Sequence, residues 1–194
     1  MKYYLSLLSC LLLTLCWAQE EKNGLDQYAR QMDTVQTLQS NFVEEKHLSL
    51  LNQPIQSQGT FLFDKKRQSL RWQYQQPFET GFLIEKDNVY RLQGQEKKPV
   101  SNAMGCMFIS EMVVWLTLDF DKLKKDYSIT LDGKEISFVP QSKEHKIIKK
   151  ITIKLDEKDD RVVTQVKMEE PSGDFILWKF NHTQINPKLP AEAF

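Results

Sequence analysis

The hydrophobic period of this chain changes partway along, and that change restricts the fold more than any other feature. Over Gly24 to Leu38, the residues Leu25, Tyr28, Met32 and Val35 recur at three- and four-residue spacings behind Asn23, a side chain suited to an N-cap. This spacing predicts an amphipathic helix. Beyond it the period falls to two. Gly59 to Phe63, Leu70 to Tyr74, Gly81 to Glu85 and Val89 to Leu92 are short runs rich in aromatic or branched residues, separated by polar turns. Tyr127 to Leu131 meets Ile136 to Val139 across Asp132-Gly133, a pair typical of a type I′ hairpin. Ile151 to Leu155, Val162 to Met168 and Phe175 to Phe180 continue the alternation. Strands joined by such short turns pair antiparallel, because parallel neighbours need a crossover of a dozen or more residues.

One segment departs from this rhythm. From Ala103 to Leu118, apolar residues including Met104, Met107, Phe108, Met112 and Trp115 are interrupted only by Gly105, Cys106, Ser110, Glu111 and Thr117. The pattern predicts a helical insert between two halves of a sheet, apolar around most of its circumference, which protein or ligand must cover. No repeat, low-complexity tract or linker divides the sequence after its leader, so a single domain is expected.

The leader is residues 1–18: Met1-Lys2, an apolar run from Leu5 to Leu15, and a small-x-small site ending at Ala18. It reads as a cleaved secretory signal peptide. The apolar run falls short of the roughly 20 residues of a spanning helix, and lipidation at Cys16 or Cys10 is the minor alternative. Residues 19–194 are then the mature domain. Cleavage removes two of the three cysteines and leaves Cys106, so no disulfide can form within the chain and the core must suffice by itself. The 26 basic residues balance the 26 acidic ones and are interspersed with them, so nothing favours nucleic acid as a partner.

No catalytic pattern emerges. His47, His145 and His182 are far apart, and HExxH, CxxC, GxSxG, Gly-rich phosphate loops and dinucleotide fingerprints are absent, so no catalytic residue, metal or cofactor is assigned. Cys106 reads as packing. The acidic pairs Glu44-Glu45, Asp159-Asp160 and Glu169-Glu170 read as solvated strand edges and turns, since adjacent residues on a strand face opposite ways.

A curved antiparallel sheet would send Phe61, Phe63, Leu70, Trp72, Tyr74, Phe82 and Ile84 to one concave surface. Periodicity by itself favours an ordinary core beneath two helices over a ligand cavity. The flexible, polarizable side chains of Met104, Met107 and Met112 move the balance modestly toward a surface that repacks around varied apolar partners.

Four elements in order carry a family resemblance: Val35-Gln36-Thr37-Leu38-Gln39-Ser40-Asn41-Phe42 with Glu45-Lys46, then Gly59-Thr60-Phe61-Leu62-Phe63, then Leu70-Arg71-Trp72-Gln73-Tyr74-Gln75-Gln76-Pro77, then Leu83 to Tyr90. In these the chain resembles the LolA-like outer-membrane lipoprotein carriers. The resemblance implies an α+β, mainly β fold: an incomplete antiparallel barrel, or half-barrel, closed by the N-terminal helix and the mid-chain insert. It implies a periplasmic, monomeric, non-enzymatic carrier that sequesters lipoprotein acyl chains and moves them from the inner to the outer membrane. An inner-membrane releasing transporter and an outer-membrane acceptor would be its partners. The expected lining is Phe61, Phe63, Leu70, Trp72, Phe82, Ile84, Met107, Phe108, Met112 and Trp115. A basic residue in the turn after the glycine strand latches the lid in that family, and Lys65, with Arg67 close by, stands nearest to it, while Lys66 replaces the family's proline. The match at Asn186 to Phe194 stops where well-studied members continue, so the usual C-terminal strand is expected to be missing and receptor contacts to differ. Glycolipid or polyene-type cargo and a lipoprotein-sensing module remain as alternatives.

Overall fold

Alternating apolar residues produce eleven antiparallel strands in a computed structural model that describes residues 24–86, 88–94, 96–100, 120–142 and 147–194. They are β1 (Thr37–His47), β2 (Ile55–Asp64), β3 (Ser69–Gln76), β4 (Thr80–Glu85), β5 (Asn88–Gln93), β6 (Glu96–Pro99), β7 (Tyr127–Asp132), β8 (Glu135–Pro140), β9 (Lys150–Leu155), β10 (Val163–Glu169) and β11 (Phe175–Ile185). Helix α1 spans 24–32 and α2 spans Phe120–Asp126. The sheet order is β6-β5-β4-β3-β2-β1-β11-β10-β9-β8-β7. It comprises two meanders joined where the first strand pairs with the last, from Leu38↔Ile185 to His47↔Phe175. Strands β6 and β7 are the two edges and do not pair with each other, so the expected incomplete barrel is an open sheet.

The nine expected strands coincide with β2 to β5 and β7 to β11, with only Val162 falling outside, and three differences have physical causes. The first helix ends at residue 32 and not at 38, because the side chain of Asn186 clamps the junction that follows it. Asn186 Oδ1 accepts from Gln36 N at 2.6 Å, and its Nδ2 donates to Thr34 O at 3.1 Å. Leu38 therefore belongs to β1, although Leu25, Tyr28, Met32, Val35 and Leu38 are all buried as their spacing predicts. Strand β1 itself escapes the pattern because two of its buried positions are the polar Ser40 and Glu44. The β7–β8 loop is Gly133-Lys134, with Asp132 paired to Glu135, and only Gly133 has positive φ (58°), as in a type II′ turn. Asn23 and the Ala103 to Leu118 insert lie outside the described residues, as does the leader. No described helix is long and apolar enough to cross a membrane.

Two glycines permit close approach of neighbouring strands. A Cβ on Gly59 would stand 1.9 Å from Gln73 O and 2.8 Å from Phe42 Cζ, and one on Gly81 would stand 2.3 Å from Trp72 O. Both flank β3, Gly59 opposite Tyr74 and Gly81 opposite Gln73, so the backbones of β2 and β4 close in on the middle strand. After β11 the chain forms a short turn at Ala191–Ala193, where Ala193 is buried and its carbonyl accepts from Arg71 Nη1 at 3.3 Å.

The Gly59→Ala variant is expected to lose upwards of about 3 kcal/mol of stability, since the obstructing atom is backbone and cannot rotate away. Gly94→Ala, with φ of 58° and nothing within 4 Å of the new Cβ, should lose only about 1 kcal/mol. Urea titration followed by tryptophan fluorescence measures both.

Candidate functional site

Antiparallel register puts paired residues on the same face, and following the pairs across the sheet traces one continuous apolar surface. It runs from Ile84 to Leu70, Phe63 and Leu38, and along a second row from Phe82 to Trp72 and Phe61. Across the β1–β11 joint it continues through Phe42 and Phe180 to Val166, Ile153 and Ile136. These residues form a single cluster with Leu25, Tyr28 and Met32 of α1, so the helix covers part of the face. A Cβ on Gly24 would meet Leu131 Cδ2 at 2.9 Å, and Tyr28 donates from its hydroxyl to Asp160 O, which places α1 over the β7 to β10 half.

Of the expected lining, Phe61, Phe63, Leu70, Trp72 and Ile84 are buried together on this face and Phe82 is half-buried beside them. Met107, Phe108, Met112 and Trp115 lie outside the described residues. Trp72 is the hub. Its ring centroid is 4.1 Å from that of Phe42, 5.8 Å from Phe61, 6.1 Å from Phe82 and 6.2 Å from Phe180. Phe42 and Phe180 come from the paired first and last strands, which local periodicity cannot bring together.

The face opens toward one end. Leu38, Phe61, Arg161, Val163, Phe180 and Thr183 line a small cleft that is open to solvent. Among the described residues Arg161 is its one charged wall, held by Asp159 through Nε at 2.9 Å and Nη2 at 2.8 Å. The guanidinium keeps the Asp159 carboxyl below the usual carboxylate range.

At the centre of the face sits a carboxylate that the sequence pattern assigned to a solvated edge. Glu44 is buried, and its Oε2 accepts from Tyr74 Oη and from Trp178 Nε1, each at 2.7 Å. Its Oε1 is 3.2 Å from Lys46 Nζ but outside hydrogen-bond geometry. Burial first, then the neighbouring Glu44 charge, push the Tyr74 phenol well above its ordinary pKa; the Trp72 indole partly opposes this. Although that indole favours the phenolate, its N–H is buried with no acceptor in hydrogen-bond geometry among the described residues.

The expected latch residues lie in the β2–β3 turn. Lys65 Nζ bonds Asp33 Oδ1 at 3.2 Å, tying this turn to the residue after α1. Arg67 instead pairs with Asp64 at 3.5 Å and lies over the Phe194 ring. Among the described residues, no group of three or more His, Cys, Asp or Glu could hold a metal ion.

A family model described as outer membrane lipoprotein carrier protein LolA matches residues 33–194. No curated protein sequence matches. Among solved structures, a chain of the Pseudomonas aeruginosa MucA/MucB complex is similar at a TM-score of 0.52 and 14% identity, covering 87% of this chain and 58% of that one. The present chain thus spans little more than half of that neighbour. Lipoprotein LppX of Mycobacterium tuberculosis is similar at a TM-score of 0.49 and 9% identity, covering 87% of this chain and 98% of that one. A LolA superfamily protein from Nitrosomonas europaea is similar at 0.44 and 10% identity, covering 85% and 94%.

The Glu44 network is the most sensitive polar element of the face. Glu44→Ala leaves the Tyr74 and Trp178 donors buried without an acceptor and should cost about 3 kcal/mol. Glu44→Gln keeps one acceptor oxygen and should cost nearer to about 1 kcal/mol. Chemical denaturation of both variants reads this ordering, and equal losses would contradict the assigned hydrogen bonds.

Proposed function

The chain belongs to the LolA outer membrane lipoprotein carrier family, and from that premise we propose that it is an exported, non-enzymatic periplasmic carrier of lipid acyl chains. The observation that carries this reading is the apolar face itself, continuous across both meanders and opening into a cleft at one end. Each methylene removed from water is worth roughly 0.8 kcal/mol, so a lipoprotein's chains cannot leave a membrane without such a surface. In this reading the cargo enters at the cleft past Leu38, Phe61 and Phe180 and spreads along the aromatic row toward Phe82. The Trp72 indole N–H would receive an acceptor from the cargo, such as an ester or amide carbonyl, recovering the roughly 1–3 kcal/mol that an unpaired buried donor costs.

Movement of α1 is the step that admits cargo. The Lys65–Asp33 pair is exposed on both sides and is worth less than about 1 kcal/mol, so it biases the helix toward the face without locking it there. Lys65 would serve as the latch. Transfer then follows relative affinity, from an inner-membrane releasing transporter to an outer-membrane acceptor.

Replacing the half-buried Phe82 by Ala shortens the aromatic row without adding charge. Displacement of a fluorescent long-chain fatty acid should show its affinity falling about tenfold, while the thermal transition moves by only a few degrees. Lys65→Ala should leave stability within about 0.5 kcal/mol and speed probe uptake in stopped flow. A wild-type protein that does not bind the probe would exclude the carrier reading.

A further inference from the structure

The large apolar side chains left exposed among the described residues are Leu48, Leu50, Leu51, Ile55, Phe78, Val139 and Ile147. Their placement is not scattered. Strand directions put the β1–β2, β3–β4 and β8–β9 connections at the same end of the sheet, and all seven residues lie in these connections or at the strand ends next to them. Leu50 is 95% exposed and Phe78 77% exposed, values more typical of lysine than of apolar residues.

The two most exposed tips are neighbours. The β1–β2 and β3–β4 hairpins are adjacent in the sheet, so their tips project about 10 Å apart. The first tip is preformed: Leu51 N donates to Leu48 O at 2.9 Å, and Ser49 N donates to Asp174 Oδ1 at 2.7 Å. Ordering is therefore complete before any partner arrives.

Charge decides what the tips suit. In a chain that is 27% charged, residues 48–63 contain no charged side chain, and the β3–β4 tip carries one, Glu79 beside Phe78. The polar residues between the apolar ones are Ser49, Asn52, Gln53 and Gln56, neutral groups that can hydrogen-bond at the headgroup level without desolvating an ion. Projecting Leu- and Phe-tipped hairpins, with Glu79 and Asp174 able to stay at the headgroup level, fit a soft interface that closes around them, whereas a protein partner would need a matching groove and complementary polar rim.

We infer that this end of the sheet is a membrane-docking surface, whose Leu50 and Phe78 tips insert into the interfacial layer of a phospholipid bilayer. The cleft lies toward the opposite end, so docking leaves it open. This goes beyond the carrier reading and rests on exposure, placement and charge.

Vesicle flotation tests it, using the exported full chain and liposomes of phosphatidylethanolamine and phosphatidylglycerol in equal parts. The wild-type protein should float with the vesicles. Leu50→Asp and Phe78→Asp should each lower the bound fraction roughly tenfold, and the double variant further, with melting temperature and fatty-acid probe affinity unchanged. A wild-type protein that stays in the aqueous layer, or a double variant that floats as well as wild type, overturns the inference. A wild-type dimer in sedimentation velocity that becomes monomeric in the double variant, without vesicle binding, also overturns it and assigns the patch to self-association. Unchanged probe affinity keeps failure here distinct from failure of the carrier reading.

Discussion

Pairing of β1 with β11 is the joint on which the rest of the structure depends. Each meander by itself, β1 to β6 or β7 to β11, presents only half of an apolar face, and neither half contains the full aromatic cluster. The joint brings Phe42 and Phe180 across from each other and sets both against Trp72, and it places Trp178 beside Glu44 so that the carboxylate has two donors. The same joint carries Asn186 back to the start of the chain, where it ends α1 and begins β1. Sequence separation across the pair exceeds 120 residues throughout, so closing it is the entropically costly step of folding.

This dependence explains what could be read in the sequence and what could not. Nine strands were visible because their apolar residues alternate and their turns are polar. The identity of the faces was partly visible too: Phe61, Phe63, Leu70, Trp72 and Ile84 do share one surface, because period-two alternation is a local property. Strand β1 was hidden because Ser40 and Glu44 occupy buried positions, and their partners, Thr183, Tyr74 and Trp178, are distant in sequence. Strand β6, Glu96–Pro99, carries no apolar residue inside its bounds to signal it, as suits an edge that must not recruit another strand. The helix boundary was misplaced for the same reason as β1, since Asn186 is remote. The sequence around Leu48 to Ile55 gives no periodic signal, and only the strand directions reveal that its exposed apolar residues share an end with Phe78.

The face combines two requirements that ordinarily conflict. A surface this apolar must be covered in water, yet a carrier must uncover it. The fold places strong, buried contacts in the sheet itself, where Trp72, Phe42, Ile151 and Ile153 are nearly inaccessible. The covering helix is held by buried Leu25, Tyr28 and Met32 and by the Tyr28–Asp160 hydrogen bond, and the Lys65–Asp33 and Lys124–Asp26 pairs add only weak, solvent-screened contacts.

The central claim is that this concave face holds acyl chains, and native mass spectrometry of the protein released gently from its own cell envelope addresses it most directly. The account predicts adducts whose masses correspond to acylated molecules, which dissociate on collisional activation and disappear after organic-solvent extraction. A polypeptide that carries no adduct even under the mildest activation, and that gains none when incubated with envelope lipids, would contradict it.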